Sequence, residues 1–158
     1  MVLSWNPKNL NLVGFSDADW GSQVDDRKST SGVVFSIGGG LVSWKCKKQK
    51  TVALSSMEAE YQALAIAIQE LLWLSSLMKE LKINLEPSTI FEDNQACIRL
   101  AENPVYHGRA KHVDMKFHFV RDHLVKKAYN LVYCKSDDMM ADILTKALPC
   151  TTIGYLRG

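Results

Sequence analysis

Four carboxylates stand where a carboxylate needs an explanation: Asp17, Glu60, Asp93 and Asp142. Asp17 ends an alternating run, 10–19, in which it shares a face with Val13 and Phe15, whose burial is expected. A charge on a buried face is costly unless it is paired or coordinates a cation; the plainer alternative is a frayed strand end with Asp17 in solvent or beside an arginine. Glu60 is best judged against Glu58. Ser55 as N-cap with Glu58 reaching back to the cap amide would form a capping box, which gives Glu58 a structural job. Glu60 has none: helical spacing groups it with Met57, Ala63, Leu64, Ala67 and Ile68, near the apolar stripe rather than on the face of Gln62 and Gln69. Asp93 precedes a helix and, taken alone, is an N-cap. Asp142 has Lys146 four residues on and, taken alone, is half of a surface ion pair.

The set says more than its members, because one strand, two helix starts and a later helix each offer a carboxylate near an element end. Hard oxygen ligands of this kind suit Mg²⁺, with Mn²⁺ as a substitute, held by a few carboxylates plus substrate phosphates. Two such ions roughly 3.5–4 Å apart stabilise the attacking and leaving oxygens of a phosphoryl transfer. Phosphoryl transfer is therefore the chemistry these residues suggest.

The elements that must position the acids follow from periodicity. Strands are expected over 10–19, 31–37 and 41–47, the last two joined at Gly38, Gly39 and Gly40, a strong hairpin signal. From 56 to about 81 the spacing turns helical, with Leu64, Ile68, Leu71, Leu72, Met78 and Leu81 as the stripe. A short strand over 88–92 precedes a helix over 94–101 that Pro104 stops. A helix over 113–127, a strand over 129–134 and a final helix over 139–147 complete the order β-β-β-α-β-α-α-β-α. Such an order predicts an α/β fold: a mixed five-stranded sheet, an antiparallel three-stranded meander followed by α-β units, with flanking helices.

The 158 residues fit one domain, expected over 10–149 between an N-terminal extension, 1–9, and a C-terminal tail, 150–158. Hydrophobic residues at 47% and charged residues at 23% exclude a disordered chain. The formal net charge of +2 is too small to indicate a nucleic-acid partner by itself, so the distribution of basic residues decides more than their total. Cys46, Cys97, Cys134 and Cys150 are scattered without a C-x-x-C pair, which argues against a zinc ribbon and for free thiols in a reducing compartment. No signal peptide and no run of about 18 apolar residues is present, so no membrane partner is expected and the location is read as intracellular and cytoplasmic.

Five stretches carry a resemblance: GFSDADWGSQVDDRKSTSGV at 14–33, VSWKCKKQKTVALSSMEAEYQALAI at 42–66, EDNQACIR at 92–99, RAKHVDMKFHFVRDH at 109–123 and MADILTKALPC at 140–150. In this order and over nearly the whole chain they resemble the ribonuclease H domain of copia-type retrotransposon Pol polyproteins. The resemblance implies the ribonuclease H-like fold and an Asp-Glu-Asp-Asp catalytic and metal-binding set carried by Asp17, Glu60, Asp93 and Asp142. It further implies two Mg²⁺ ions, with Asp17 bridging both, Asp142 on the water-activating ion and Glu60 and Asp93 on the leaving-group ion. The implied reaction cuts the RNA strand of an RNA–DNA hybrid, leaving a 3′-hydroxyl and a 5′-phosphate. Implied partners are that hybrid and the reverse transcriptase of a parent polyprotein, with a virus-like particle as the location in an active element. Met57 and Glu92 depart from the family pattern; Glu92 either perturbs Asp93, joins the metal shell, or, as strand alternation suggests, points to the other side of its strand. No histidine lies in 135–141, where many cellular ribonucleases H carry one, which implies slow turnover. Met1 lies almost at the domain edge and the reverse transcriptase and integrase that accompany the family's domain are absent from the sequence, so a truncated or domesticated copy is expected.

For nucleic-acid binding the candidates are Arg27 and Lys28, in the loop leaving the strand of Asp17, and Lys45, Lys47 and Lys48, clustered with Lys50 beside Trp44. Lysines on a strand edge also deter edge pairing, and Asp25 and Asp26 dilute the charge of Arg27 and Lys28. His107, His112, His118 and His123 match no familiar zinc spacing; the role of His112 in its 111–114 motif does not follow from the residues. Two rival functions remain: a catalytically inactive or co-opted remnant that binds nucleic acid or protein, and an integrase-like nuclease with three acids. The fourth acid, Asp142, favours ribonuclease H over the latter.

Overall fold

The structure is a computed structural model that describes residues 10–21, 25–83, 85, 87–103 and 111–156, without the side chains of 111–114. Five strands form one sheet in the order β3-β2-β1-β4-β5. Strands β1 (Leu12–Asp19), β2 (Thr30–Ile37) and β3 (Gly40–Lys48) make the expected antiparallel meander. Gly38 and Gly39 both have positive φ, 58° and 81°, which fits the two-residue hairpin turn that suits strand twist. Strands β4 (Ser88–Glu92) and β5 (Tyr129–Tyr133) then add in parallel beside β1. The expected mixed sheet with flanking helices is the observed fold.

Helix α1 (Ser56–Glu80) lies across one face of the sheet. Leu12, Val33, Phe35, Ile37 and Ile90 of the strands and Leu64, Ile68 and Leu71 of α1 form the main core. Helices α2 (Gln95–Glu102) and α3 (Lys111–Val125) extend it, with Cys97, Leu100, Phe117 and Val120. Burial on β1 departs from expectation: Leu12, Gly14 and Ser16 are the fully covered positions facing α1, while Val13 and Phe15 are only half-buried on the other face. That second face is thinner, covered by Met139, Ala141 and partly buried Leu144 against Val34 and Phe15.

The expected final helix over 139–147 is a single turn, α4 (Asp142–Thr145), preceded by a 3₁₀ turn, Ser136–Asp138. Met139 and Ala141, two apart rather than three or four, are both fully buried. Tertiary packing has overridden the helical pattern there, as it commonly does for a weak local preference. Within the stretch read as a tail, Cys150–Leu156 form a further helix, α5, with Leu156 buried. Tyr155 donates a hydrogen bond to Asp138 (2.9 Å). Among the described residues no helix is long and apolar enough to cross a membrane.

Candidate active site

Asp17 sits near the end of β1 and Asp93 immediately after β4, at the carboxyl ends of two adjacent parallel strands. The last β1–β4 pair is Phe15 with Phe91, whose rings stack 5.1 Å apart; two residues further on in each strand come the two aspartates. Glu60 arrives from the first turns of α1. Ala18, Ala53, Ala59 and Ala63 pack there as a separate cluster, and because alanine ends at Cβ, the helix start can approach the end of β1 closely. One carboxylate oxygen from each of Asp17, Glu60 and Asp93 lies within 4.8 Å of the others.

The local capping explains why these side chains are free for the site. Ser55 is the N-cap of α1 and accepts from the Glu58 amide (3.1 Å), while the Glu58 carboxylate accepts from the Leu54 amide (2.8 Å), one residue before the expected cap amide. Glu58 is thereby occupied, whereas Glu60, only 6% exposed, has a buried Oε2 with no hydrogen-bond partner. The expected capping role of Asp93 falls instead to Asn94, whose side chain accepts from Ala96 and Cys97 amides, both at 3.0 Å. Asp93 Oδ2 accepts from the Ser136 hydroxyl (2.6 Å).

Asp142 is brought in by α4. The expected surface pair with Lys146 exists, at 2.8 Å, but it is not on the surface: Asp142 is 6% exposed, and the same ammonium also reaches Asp17 Oδ1 at 3.0 Å. The Thr145 hydroxyl donates to Asp17 Oδ2. This contact requires Gly32, the cross-strand partner of Asp17. A Cβ there would stand 2.7 Å from Thr145 Cγ2 and 3.0 Å from the Ala141 carbonyl. Gly32→Ala is therefore expected to push α4 off the sheet. A loss of about 1–3 kcal/mol, the usual scale of overpacking, is expected in chemical denaturation; an unchanged midpoint would mean that α4 adapts without leaving Asp17.

Glu92 is the acid whose part sequence reading left open between perturbing Asp93, joining the metal shell and pointing to the other side of its strand. Alternation turns it to the α1 side, fully buried, where it accepts from the Ser16 hydroxyl (2.8 Å) and the Asn94 amide (3.2 Å). Burial pushes its carboxyl up to about 8, helped by the charges of Asp93 and Asp17 and opposed by those two hydrogen bonds. Burial, then Glu92, Asp17 and Asp93, hold the Glu60 carboxyl far above the ordinary range. Asp142 is raised to about 6, mainly by burial, with Lys146 pulling against it. Among the described residues, five acids against one neighbouring ammonium make a site short of positive charge, with an unpartnered buried oxygen and carboxylate donors. Those properties fit a divalent ion of the Mg²⁺ kind.

The expected basic contacts are spread more widely. Arg27, at φ 54°, and Lys28 lie in the loop after β1, and Asp26 takes both Lys28 (3.8 Å) and Lys48 (2.9 Å). Lys45 is paired with the buried Glu70 of α1, which also accepts from Ser43 (2.6 Å), so it straps the edge strand to the helix. Lys47, Lys48 and Lys50 line an open groove of about 440 Å³ across α1, together with Lys116, which sequence reading did not single out. Their grouping depends on α3 meeting the end of β3 across α1, which no local pattern contains. Of the histidines, His118 is exposed on α3 and His123 Nδ1 lies 2.8 Å from the Phe119 carbonyl; His107 and the side chain of His112 lie outside the described residues. The four cysteines are free thiols.

No family model matches the chain. It is 43% identical over 140 residues to the retrovirus-related Pol polyprotein from transposon RE2 of Arabidopsis thaliana, which covers 88% of this chain and 10% of that protein. The corresponding protein from transposon TNT 1-94 of Nicotiana tabacum is 37% identical over 138 residues, 87% of this chain and again 10% of its own length. The chain thus spans about a tenth of the relatives it matches. Among solved structures, LC11-RNase H1 in complex with an RNA/DNA hybrid superposes with a TM-score of 0.63, covering 85% of this chain and 94% of that one at 16% identity. That likeness shows the fold, and the sequence identities show the lineage: the chain belongs to the copia-type retrotransposon Pol family, as its segment with the ribonuclease H fold.

Proposed function

We propose that this chain hydrolyses the RNA strand of RNA–DNA hybrids, with Asp17, Glu60, Asp93 and Asp142 holding two divalent cations. The observation that carries the reading is the meeting of Asp17, Glu60 and Asp93 oxygens within 4.8 Å around an unpartnered buried oxygen of Glu60. When bound, such ions neutralise charge on the reacting phosphate and make water a better nucleophile. The chain's own part is positional. Glu92 ties Ser16, the neighbour of Asp17, to Asn94, the neighbour of Asp93, and so fixes the spacing of the two strand ends. Thr145 holds α4 against Asp17, with the Lys146 ammonium beside it in the metal-free chain, which keeps Asp142 at the site. Water adds to phosphorus, the bond to the 3′-oxygen breaks, and that oxygen leaves as a 3′-hydroxyl opposite a 5′-phosphate. Recognition of the hybrid falls to Arg27 and Lys28 in the loop after β1 and to Lys47 and Lys48 on the edge strand β3, which Lys45 ties to α1, with Lys50 and Lys116 extending the groove.

The reading is supported by the fold of a ribonuclease H solved with an RNA/DNA hybrid. Purified protein with Mg²⁺ or Mn²⁺ is expected to shorten the labelled RNA of a hybrid, and to leave single-stranded RNA and duplex DNA intact. EDTA should stop the reaction. A folded protein inert with both metals would instead support the reading as a non-catalytic binding module.

A further inference from the structure

Asp17 and Asp142 share a cation that belongs to the chain. Lys146 Nζ is 3.0 Å from Asp17 Oδ1 and 2.8 Å from Asp142 Oδ1, while Asp17 Oδ2 accepts from Thr145. Both oxygens of Asp17 are therefore engaged on the α4 side. On the α1 side the situation is reversed, since Glu60 Oε2 is buried with no partner. The Asp17–Asp142 half of the site faces an ammonium of the chain itself, and the half at Glu60 presents a buried carboxylate oxygen with no hydrogen-bond partner.

We propose that Lys146 is a built-in counter-ion that takes the place of one divalent cation between Asp17 and Asp142, so that the site loads its two ions unequally. The first ion binds at Asp17, Glu60 and Asp93 with little rearrangement; the second binds only by displacing Lys146. The side chain is built for such an exchange. It is 35% exposed, so a path to water is open, and it extends from Lys146 just after α4, where the backbone is extended (φ −122°, ψ 149°) rather than helical. A lysine ammonium is a compact charge on a flexible four-carbon stem and can leave without moving the backbone. Without it the metal-free site would hold Asp17, Asp142, Glu60, Glu92 and Asp93 with no ion-paired ammonium or guanidinium among the described residues. The neighbouring carboxylates already raise one another, and Lys146 is the opposing influence at Glu60 and Asp142.

This inference rests on the reading of the four acids as a metal site, and a titration with Mn²⁺ alone, followed by electron paramagnetic resonance and calorimetry on the full chain, separates the two. The wild-type protein is expected to bind two ions whose affinities differ by about tenfold or more. Lys146→Met should tighten the weaker site by about tenfold and change the stronger one much less. It should also lower the melting temperature in EDTA and enlarge the gain on adding Mn²⁺. Lys146→Arg, which keeps the charge, should retain two unequal sites. Should Lys146→Met fail to fold without metal, Lys146→Gln, a neutral donor, is titrated in its place with the same expectation. Two equal sites in the wild type, or a second site unchanged or weaker in the neutral variants, overturns the role of Lys146 alone. No bound Mn²⁺ in folded wild-type protein overturns the metal-site reading beneath it.

Discussion

Glu60→Gln is expected to reduce hybrid cleavage by at least roughly 10²–10³-fold, the scale of removing one preorganised electrostatic group from a reacting centre, while leaving the fold intact. Glutamine keeps the size and one acceptor oxygen of glutamate but removes the charge that holds a divalent ion. Metal-free stability should rise, because Glu60 is buried, has an unpartnered oxygen, and is surrounded by the charges of Glu92, Asp17 and Asp93. A gain of about 1 kcal/mol would raise the melting temperature by roughly 2–4 °C for a chain of this size. Its neighbour in sequence is the control. Glu58→Gln keeps an acceptor for the Leu54 amide and should change neither activity nor stability appreciably. Glu58→Ala should cost about 1 kcal/mol, the usual scale of a lost cap, and still support cleavage. Loss of cleavage in Glu58→Gln with full activity in Glu60→Gln would move the site by half a helical turn and refute the assignment.

In EDTA the melting temperature should fall as pH rises from about 5 to about 8, the reverse of what paired surface carboxylates produce. Glu60, Glu92 and Asp142 all have folded-state values raised above those of an unfolded chain, Glu92 to about 8 and Asp142 to about 6, in each case chiefly by burial. Below about pH 4 folded and unfolded chains both carry these groups protonated, so they contribute no difference. Between the unfolded values and the folded ones the folded state binds more protons, and stability declines with pH. Each unit of upward shift removes about 1.4 kcal/mol once pH has passed the folded value. At roughly 2–4 °C per kcal/mol, a loss of about 2.5 kcal/mol, a fraction of what these shifts would give if the groups titrated independently, already lowers the midpoint by roughly 5–10 °C. Adding Mg²⁺ should raise the midpoint more at pH 8 than at pH 5, because ions bind the deprotonated acids. A midpoint in EDTA that is flat or rises over the window would mean that the acids are not crowded as described.

The pH effect and the lysine exchange share one physical origin, which is an excess of buried carboxylates gathered at the ends of β1 and β4. Gly32 and the alanines of α1 and β1 serve the same end from opposite faces, since the absence of side-chain bulk is what lets α4 and α1 close on Asp17.

The sequence by itself determined the elements and the acids. Strand alternation, the Gly38–Gly39 turn and helical spacing after Ser56 gave the meander, α1 and β4 within a few residues, because each is a local pattern repeated over one element. The contrast between Glu58 and Glu60 was legible for the same reason: a capping box is a local device, and a second glutamate two residues on has no part in it. The tertiary structure alone decided the rest. The more thinly covered face of β1 was read as its main buried one, since alternation shows that two faces differ but not which of them α1 will cover. The last helix shrank to one turn because Met139 and Ala141 follow the sheet rather than their own period. Asp93 lost its capping role to Asn94, a choice between adjacent residues that depends on how the strand end turns. Lys146 looked like an ordinary i,i+4 partner of Asp142, and its second partner, Asp17, is 129 residues away in sequence. Spacing records neighbours along the chain, whereas the charge balance of this site is set by groups from β1, α1, β4 and α4 that meet only when the sheet has formed.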